Sequence, residues 1–85
     1  MYNLVLKKKA RKAIAGLPDH ARGRITRAVD QLVEEPRPAG CRKLQNCEGW
    51  RLRVGDYRLV YEVDDDKRVV TVLLIGHRRD VYRRG

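Results

Sequence analysis

The stretch from Trp50 to Val63, Trp-Arg-Leu-Arg-Val-Gly-Asp-Tyr-Arg-Leu-Val-Tyr-Glu-Val, constrains this chain more than any other. It reads as two antiparallel strands closed by a tight Gly55-Asp56 turn, because glycine supplies the positive φ that a two-residue hairpin needs. Side chains alternate between the two faces of a strand, so Leu52 and Val54 point one way while Arg51 and Arg53 point the other. In the second strand Tyr57, Leu59, Tyr61 and Val63 share a face, opposite Arg58, Val60 and Glu62. If the apolar faces coincide, three arginines stand together on the other side of a sheet. That arrangement builds no core, but it suits a phosphate.

The rest of the chain supplies cover for the apolar face. Met1 to Leu6 reads as a short strand ended by a lysine run. From Lys8 to Leu17, Ala10, Ala13, Ile14 and Leu17 recur at helical spacing. Gly16 and Pro18 break that helix, and Pro18 stands where another can begin. In this second helix Ala21, Ile25, Ala28, Val29, Leu32 and Val33 form a single apolar stripe, with Arg22, Arg24 and Arg27 outside it on a solvated face. Pro36 terminates it. The residues from Glu35 to Glu48 are loop by composition, with Leu44 turned inward. Asp64 to Lys67 is a turn. Val69 to Ile75 is a strand, apolar on both faces and ended by Gly76. The basic tail His77 to Gly85 follows. The expected fold is α+β, a single domain over residues 1–85 in the order β-α-α-β-β-β. Two N-terminal helices pack on one face of a mainly antiparallel sheet.

Composition narrows the function classes. A hydrophobic share of 42% without phenylalanine supports one small core resting on Leu, Val, Ile and Ala. The net charge of +9 predicts a polyanionic partner or an acidic protein. Cys41 and Cys47 lack the further ligands that a zinc site needs, so two free thiols in a reducing compartment are expected. No signal peptide is legible, and no run approaches the ~20 apolar residues of a membrane span. A soluble, cytoplasmic protein is expected. Serine is absent, which excludes a serine-nucleophile hydrolase.

Arginine stays charged near neutrality and presents a planar fork that fits phosphate oxygens. Arg51, Arg53 and Arg58, joined by Arg78 beyond the neighbouring strand, can surround one phosphodiester. Such a cluster favours a phosphorane over the less charged starting diester. Alternation alone leaves open a cleft that grips phosphate without cutting. Tyr82 lies four residues after Arg78, so a helical turn would set both on one side. Adjacent guanidinium groups would favour its phenolate, which can take a proton from a ribose 2′-OH. A tyrosine packed on the sheet edge is the open alternative. His77 is a weaker candidate for moving a proton, and an ion pair with a nearby arginine is the simpler use of Glu62.

Taken together, the hairpin, the strand after it and Gly-His-Arg-Arg-Asp-Val-Tyr closely resemble the RelE branch of the RelE/ParE toxin superfamily, over nearly the whole chain. Leu17-Pro18 and Lys43-Leu44 also fit. The resemblance implies a metal-independent, ribosome-dependent mRNA endonuclease of a type II toxin–antitoxin pair, without a cofactor. It would cut codons in the ribosomal A site by 2′-OH attack. Carried over by position, Arg58 and Arg78 would stabilise the phosphorane or assist the leaving group, and Tyr82 would be the general base. Arg51, Arg53, Arg79 and Arg83 would bind RNA. Arg51 and Arg53 stand where the family often has lysines, and the tail ends three residues after Tyr82. The implied partners are the ribosome, its message and an acidic, RelB-like antitoxin. Two other readings remain open. One is a ParE-like gyrase inhibitor on the same scaffold, the other a non-catalytic RNA- or ribosome-binding module.

Overall fold

A computed structural model describes residues 1–44 and 49–77. Its elements are β1 (Asn3–Leu6), α1 (Lys8–Ala15), α2 (Asp19–Glu34), β2 (Arg42–Lys43), β3 (Trp50–Val54), β4 (Tyr57–Asp64) and β5 (Val69–His77). The strands form one sheet in the order β1-β5-β4-β3-β2. The helices carry the chain from one edge of this sheet to the other. The meander from β2 to β5 then brings it back beside β1, which pairs parallel to β5 while every other pairing is antiparallel. A parallel pair needs such a long crossover, and the two helices provide it.

The apolar stripe of α2 faces the sheet as its spacing predicts, with Ala21, Ile25, Ala28, Val29 and Leu32 buried. Ile25 and Leu32 meet Leu59, Tyr61, Val70 and Val72 in the centre of the core. Tyr61 is wholly buried, and its hydroxyl donates to the Pro36 carbonyl at 2.8 Å, which satisfies the phenol and ties down the end of α2. Burial, with Cys41 beside it, pushes the Tyr61 phenol far above its ordinary pKa.

Three features depart from the pattern legible in the sequence. Arg42 and Lys43 form a short edge strand where a loop is expected. The last strand also runs through Gly76 to His77, so Gly76 does not end it. Within that strand Val60 pairs with Leu74 but Tyr61 pairs with Val72, leaving Leu73 as an extra residue. This bulge shifts the alternation by one, so Ile75 rather than Leu74 joins Val70 and Val72 in the core. The apolar run from Val72 to Ile75 conceals that shift, because either phase would bury a hydrophobic residue there.

The helix cations divide by role. Arg22 reaches back to the end of α1, where its Nε donates to the Ile14 carbonyl at 3.2 Å and its Nη2 to the Leu17 carbonyl at 2.8 Å. Its Nη1 also pairs with Asp19 at 3.0 Å. A helix end leaves its last carbonyls short of backbone donors, and Arg22 adds a second donor to Ile14, which the Leu17 N–H also reaches. Far from being a solvated charge, it joins the two helices. Among the described residues no helix is long and apolar enough to cross a membrane.

Replacing Arg22 by Leu keeps the apolar stem and removes these bonds, with an expected loss of about 1–2 kcal/mol. The thermal midpoint should fall by roughly 4–8 °C per kcal/mol in a domain of this size. Arg27→Ala, on the exposed flank of the same helix, should change stability by less than about 0.5 kcal/mol. Equal midpoints for the two variants in thermal denaturation would refute the clamp.

Candidate nucleic-acid interface

The hairpin between β3 and β4 fixes the site. Val54 pairs with Tyr57, so Gly55 and Asp56 alone make the turn. Gly55 has a φ of +60° and Asp56 is not in the left-handed region, the pattern of a type II′ turn. From that turn the register follows: Arg53 faces Arg58, Leu52 faces Leu59 and Arg51 faces Val60. Directly paired residues share a face of the sheet. Leu52 and Leu59 pack toward the helices, so Arg51, Arg53 and Arg58 lie together on the side away from them.

The same logic adds a residue that the sequence did not single out. Arg42 pairs with Arg51, which puts it on the arginine face. Four arginines from three neighbouring strands therefore share one surface. Two of the cross-strand pairs, Arg42 with Arg51 and Arg53 with Arg58, set like charges directly opposite each other. Two residues are too few to display the alternation that would have revealed Arg42.

The four differ in depth. Arg58, on the middle strand of the sheet, is only 5% exposed, whereas Arg51 is half-buried and Arg42 and Arg53 are exposed. Gly76, opposite Arg58 on β5, sets no side chain against it. A cation this deep attracts a phosphate about fourfold more strongly than one in bulk water, taking an effective dielectric near 20 instead of 80. The Arg53 Nε donates to the Gly55 carbonyl at 3.4 Å, which lays its stem along the hairpin.

Other candidates fall elsewhere. His77 pairs with Tyr57, and the two rings meet edge to face at 5.7 Å on the helix side, across the sheet from Arg58. Glu62 shares the face of Arg58 but stands four residues along β4, roughly 13 Å away. Glu62 forms no ion pair among the described residues, so the expected pairing with an arginine is absent there. Tyr2 donates to Asp65 and Tyr61 to the Pro36 carbonyl, so both phenols are engaged elsewhere, and both have pKa values raised above that of a free phenol. Arg78, Arg79, Tyr82 and Arg83 lie outside the described residues, as does Cys47; Cys41 is a free thiol. No cluster of three His, Cys, Asp or Glu side chains among the described residues is arranged to hold a metal ion.

A cleft of about 710 Å³ opens at the far end of β4, lined by Arg37, Lys43, Trp50, Glu62 and the acidic turn after β4. Arg37 and Lys43 lie over the Trp50 ring, each 5.3 Å from its centroid. Arg37 also grips Asp65 through two hydrogen bonds, at 2.8 and 3.2 Å, and Tyr2 donates to the same carboxylate at 2.7 Å. Those bonds, the Arg37 bond first, hold the Asp65 carboxyl below the usual carboxylate range. The cations here are engaged locally and acids line the opposite wall, so this cleft is a poor match for a polyanion.

With the geometry in place, its relatives can be set beside it. A family model for the ParE toxin of type II toxin–antitoxin systems, parDE, matches residues 4–82, and the chain belongs to the RelE/ParE toxin superfamily. Its similarities lie predominantly with the RelE-like branch. Toxin RelG of Mycobacterium tuberculosis is 34% identical over 77 residues, covering 88% of each chain. The mRNA interferase toxin RelE of Escherichia coli K12 is 33% identical over 85 residues, covering 95% of this chain and 90% of the relative. The RelE–RelB complex of Pyrococcus horikoshii OT3 superposes with a TM-score of 0.81 at 30% identity, covering 91% of this chain and 94% of that one.

Proposed function

We propose that this chain is the toxin of a type II pair and acts as a ribosome-dependent mRNA endonuclease. The observation that carries this reading is the pairing of Arg53 with Arg58, beside Arg51, on the sheet face away from the helices. The likeness to a protein named an mRNA interferase supports it. In the proposed reaction Tyr82, as phenolate, takes the proton of a ribose 2′-OH. The 2′-oxygen then bonds to the adjacent phosphorus, and the bond from phosphorus to the 5′-oxygen breaks. The departing oxygen acquires a proton from water, leaving a 2′,3′-cyclic phosphate and a 5′-OH. Arg58 and Arg78 stabilise the phosphorane, which carries more negative charge than the diester. Arg51, Arg53, Arg79 and Arg83 hold the RNA.

Guanidinium groups are too basic to be efficient acids, and the phenol is the one evident base. The site therefore relies on the ribosome to hold the message in line for attack. That target places the protein in the cytoplasm. Solved RelE proteins bound to RelB support a cognate antitoxin for this chain as well, acidic enough to cover its basic surface. The family model named for ParE favours a second reading, inhibition of DNA gyrase on the same scaffold.

Translating ribosomes incubated with the protein, followed by primer extension on the message, separate the two. Cuts inside A-site codons are expected, with naked RNA cut far more slowly. Arg58→Gln should lower the cleavage rate by about 100- to 1000-fold, and Tyr82→Phe by about 100-fold or more. Thermal denaturation checks that each variant is folded. A folded Arg58→Gln protein of full potency would contradict the proposal, and supercoiling inhibition without cuts would establish the gyrase reading.

A further inference from the structure

We infer that Arg42 is a second phosphate-binding residue, gripping the RNA backbone about two linkages from the bond that is cut. This rests on the proposed nuclease activity and extends the substrate path beyond the reacting phosphate. The two-residue strand β2 adds little pairing to the sheet, yet it is held firmly at both ends. The Cys41 N–H donates to the Pro38 carbonyl at 3.1 Å, and the Leu44 N–H to the Gly49 carbonyl at 2.9 Å. Its two side chains diverge. Lys43 lies over the Trp50 ring on the helix side, whereas Arg42 faces the arginine surface, exposed and without an acidic partner among the described residues.

Arg42 stands directly opposite Arg51, which sets the two side chains next to each other on this face. It is two strands from Arg58 and offset by two residues along the sheet. Strand spacing and rise put the two backbone positions roughly 12 Å apart, a span that an extended RNA backbone covers in about two linkages. Arg58, buried at the centre, and Arg42, exposed at the edge, thus mark the ends of a diagonal track with Arg51 between them. Such a residue positions the message and touches no reacting atom. A charged side chain on an edge strand also has a simpler use, blocking association with another sheet edge, so the test has to separate the two.

The measurement uses ribosomes programmed with short synthetic messages, each carrying one neutral methylphosphonate linkage at a different distance from the cut. For the wild-type protein, one neutral linkage about two positions from the cut should raise the half-saturating toxin concentration about tenfold. Arg42→Ala should show that rise on the unmodified message, with the maximal rate unchanged, and should be indifferent to the same linkage. Arg42→Lys should recover part of the loss. If wild type cuts but Arg42→Ala matches it in half-saturating concentration, or remains sensitive to every neutral linkage, the inference fails while the nuclease reading stands. Aggregation of Arg42→Ala with normal cleavage would assign the residue to edge protection. Absence of cutting by the wild type would overturn both.

Discussion

The register of one hairpin determines which side of this sheet is a core and which carries the arginines. Gly55 takes the left-handed conformation that lets Val54 and Tyr57 close a two-residue turn, and every pair behind it follows. A slip of one residue would carry an entire set of side chains to the other face. Leu59 and Tyr61, both completely buried, would be exchanged for Arg58 and Val60. The core cannot accept that exchange, so the packing that stabilises the domain also holds the arginines outward. Folding and function share one constraint.

The two helices contribute indirectly. Their apolar stripe covers a single face and leaves the other available, while Arg22 bonds the end of one helix to the start of the next. The charge of Arg22 is therefore distinct in purpose from that on the sheet. At the far end of β4, Arg37 is engaged by Asp65 and Trp50, which confines its charge to a local lock. The sheet face gathers four cations of its own, Arg42, Arg51, Arg53 and Arg58. Its deepest cation sits in the middle strand and its shallowest ones at the hairpin and the edge.

The hairpin and the stripe of α2 were legible because each repeats a period long enough to be recognised against its background. The parallel pairing of β1 with β5 is a contact between distant segments and has no local signature. The bulge at Leu73 has no signature for a different reason: the apolar run from Val72 to Ile75 gives no contrast by which to detect a change of phase. Composition makes Gly76 a terminator, yet the ladder continues past it because its backbone pairs like any other. Arg22 and Arg42 illustrate the same limit. Both are charged residues outside an apolar pattern, and only geometry separates the one that caps a helix from the one that joins a binding face. His77 was ambiguous until its pairing with Tyr57 placed it on the helix side.

The central claim is that RNA meets the sheet face and not the helices. Guanidinium Nε–Hε resonances, observed by NMR while a non-cleavable, 2′-deoxy-substituted message is added, test this most directly. Large shifts at Arg51, Arg53 and Arg58, with Arg11 and Arg27 undisturbed, are the predicted result. Shifts confined to the helix arginines, with the sheet resonances unmoved, would contradict the account.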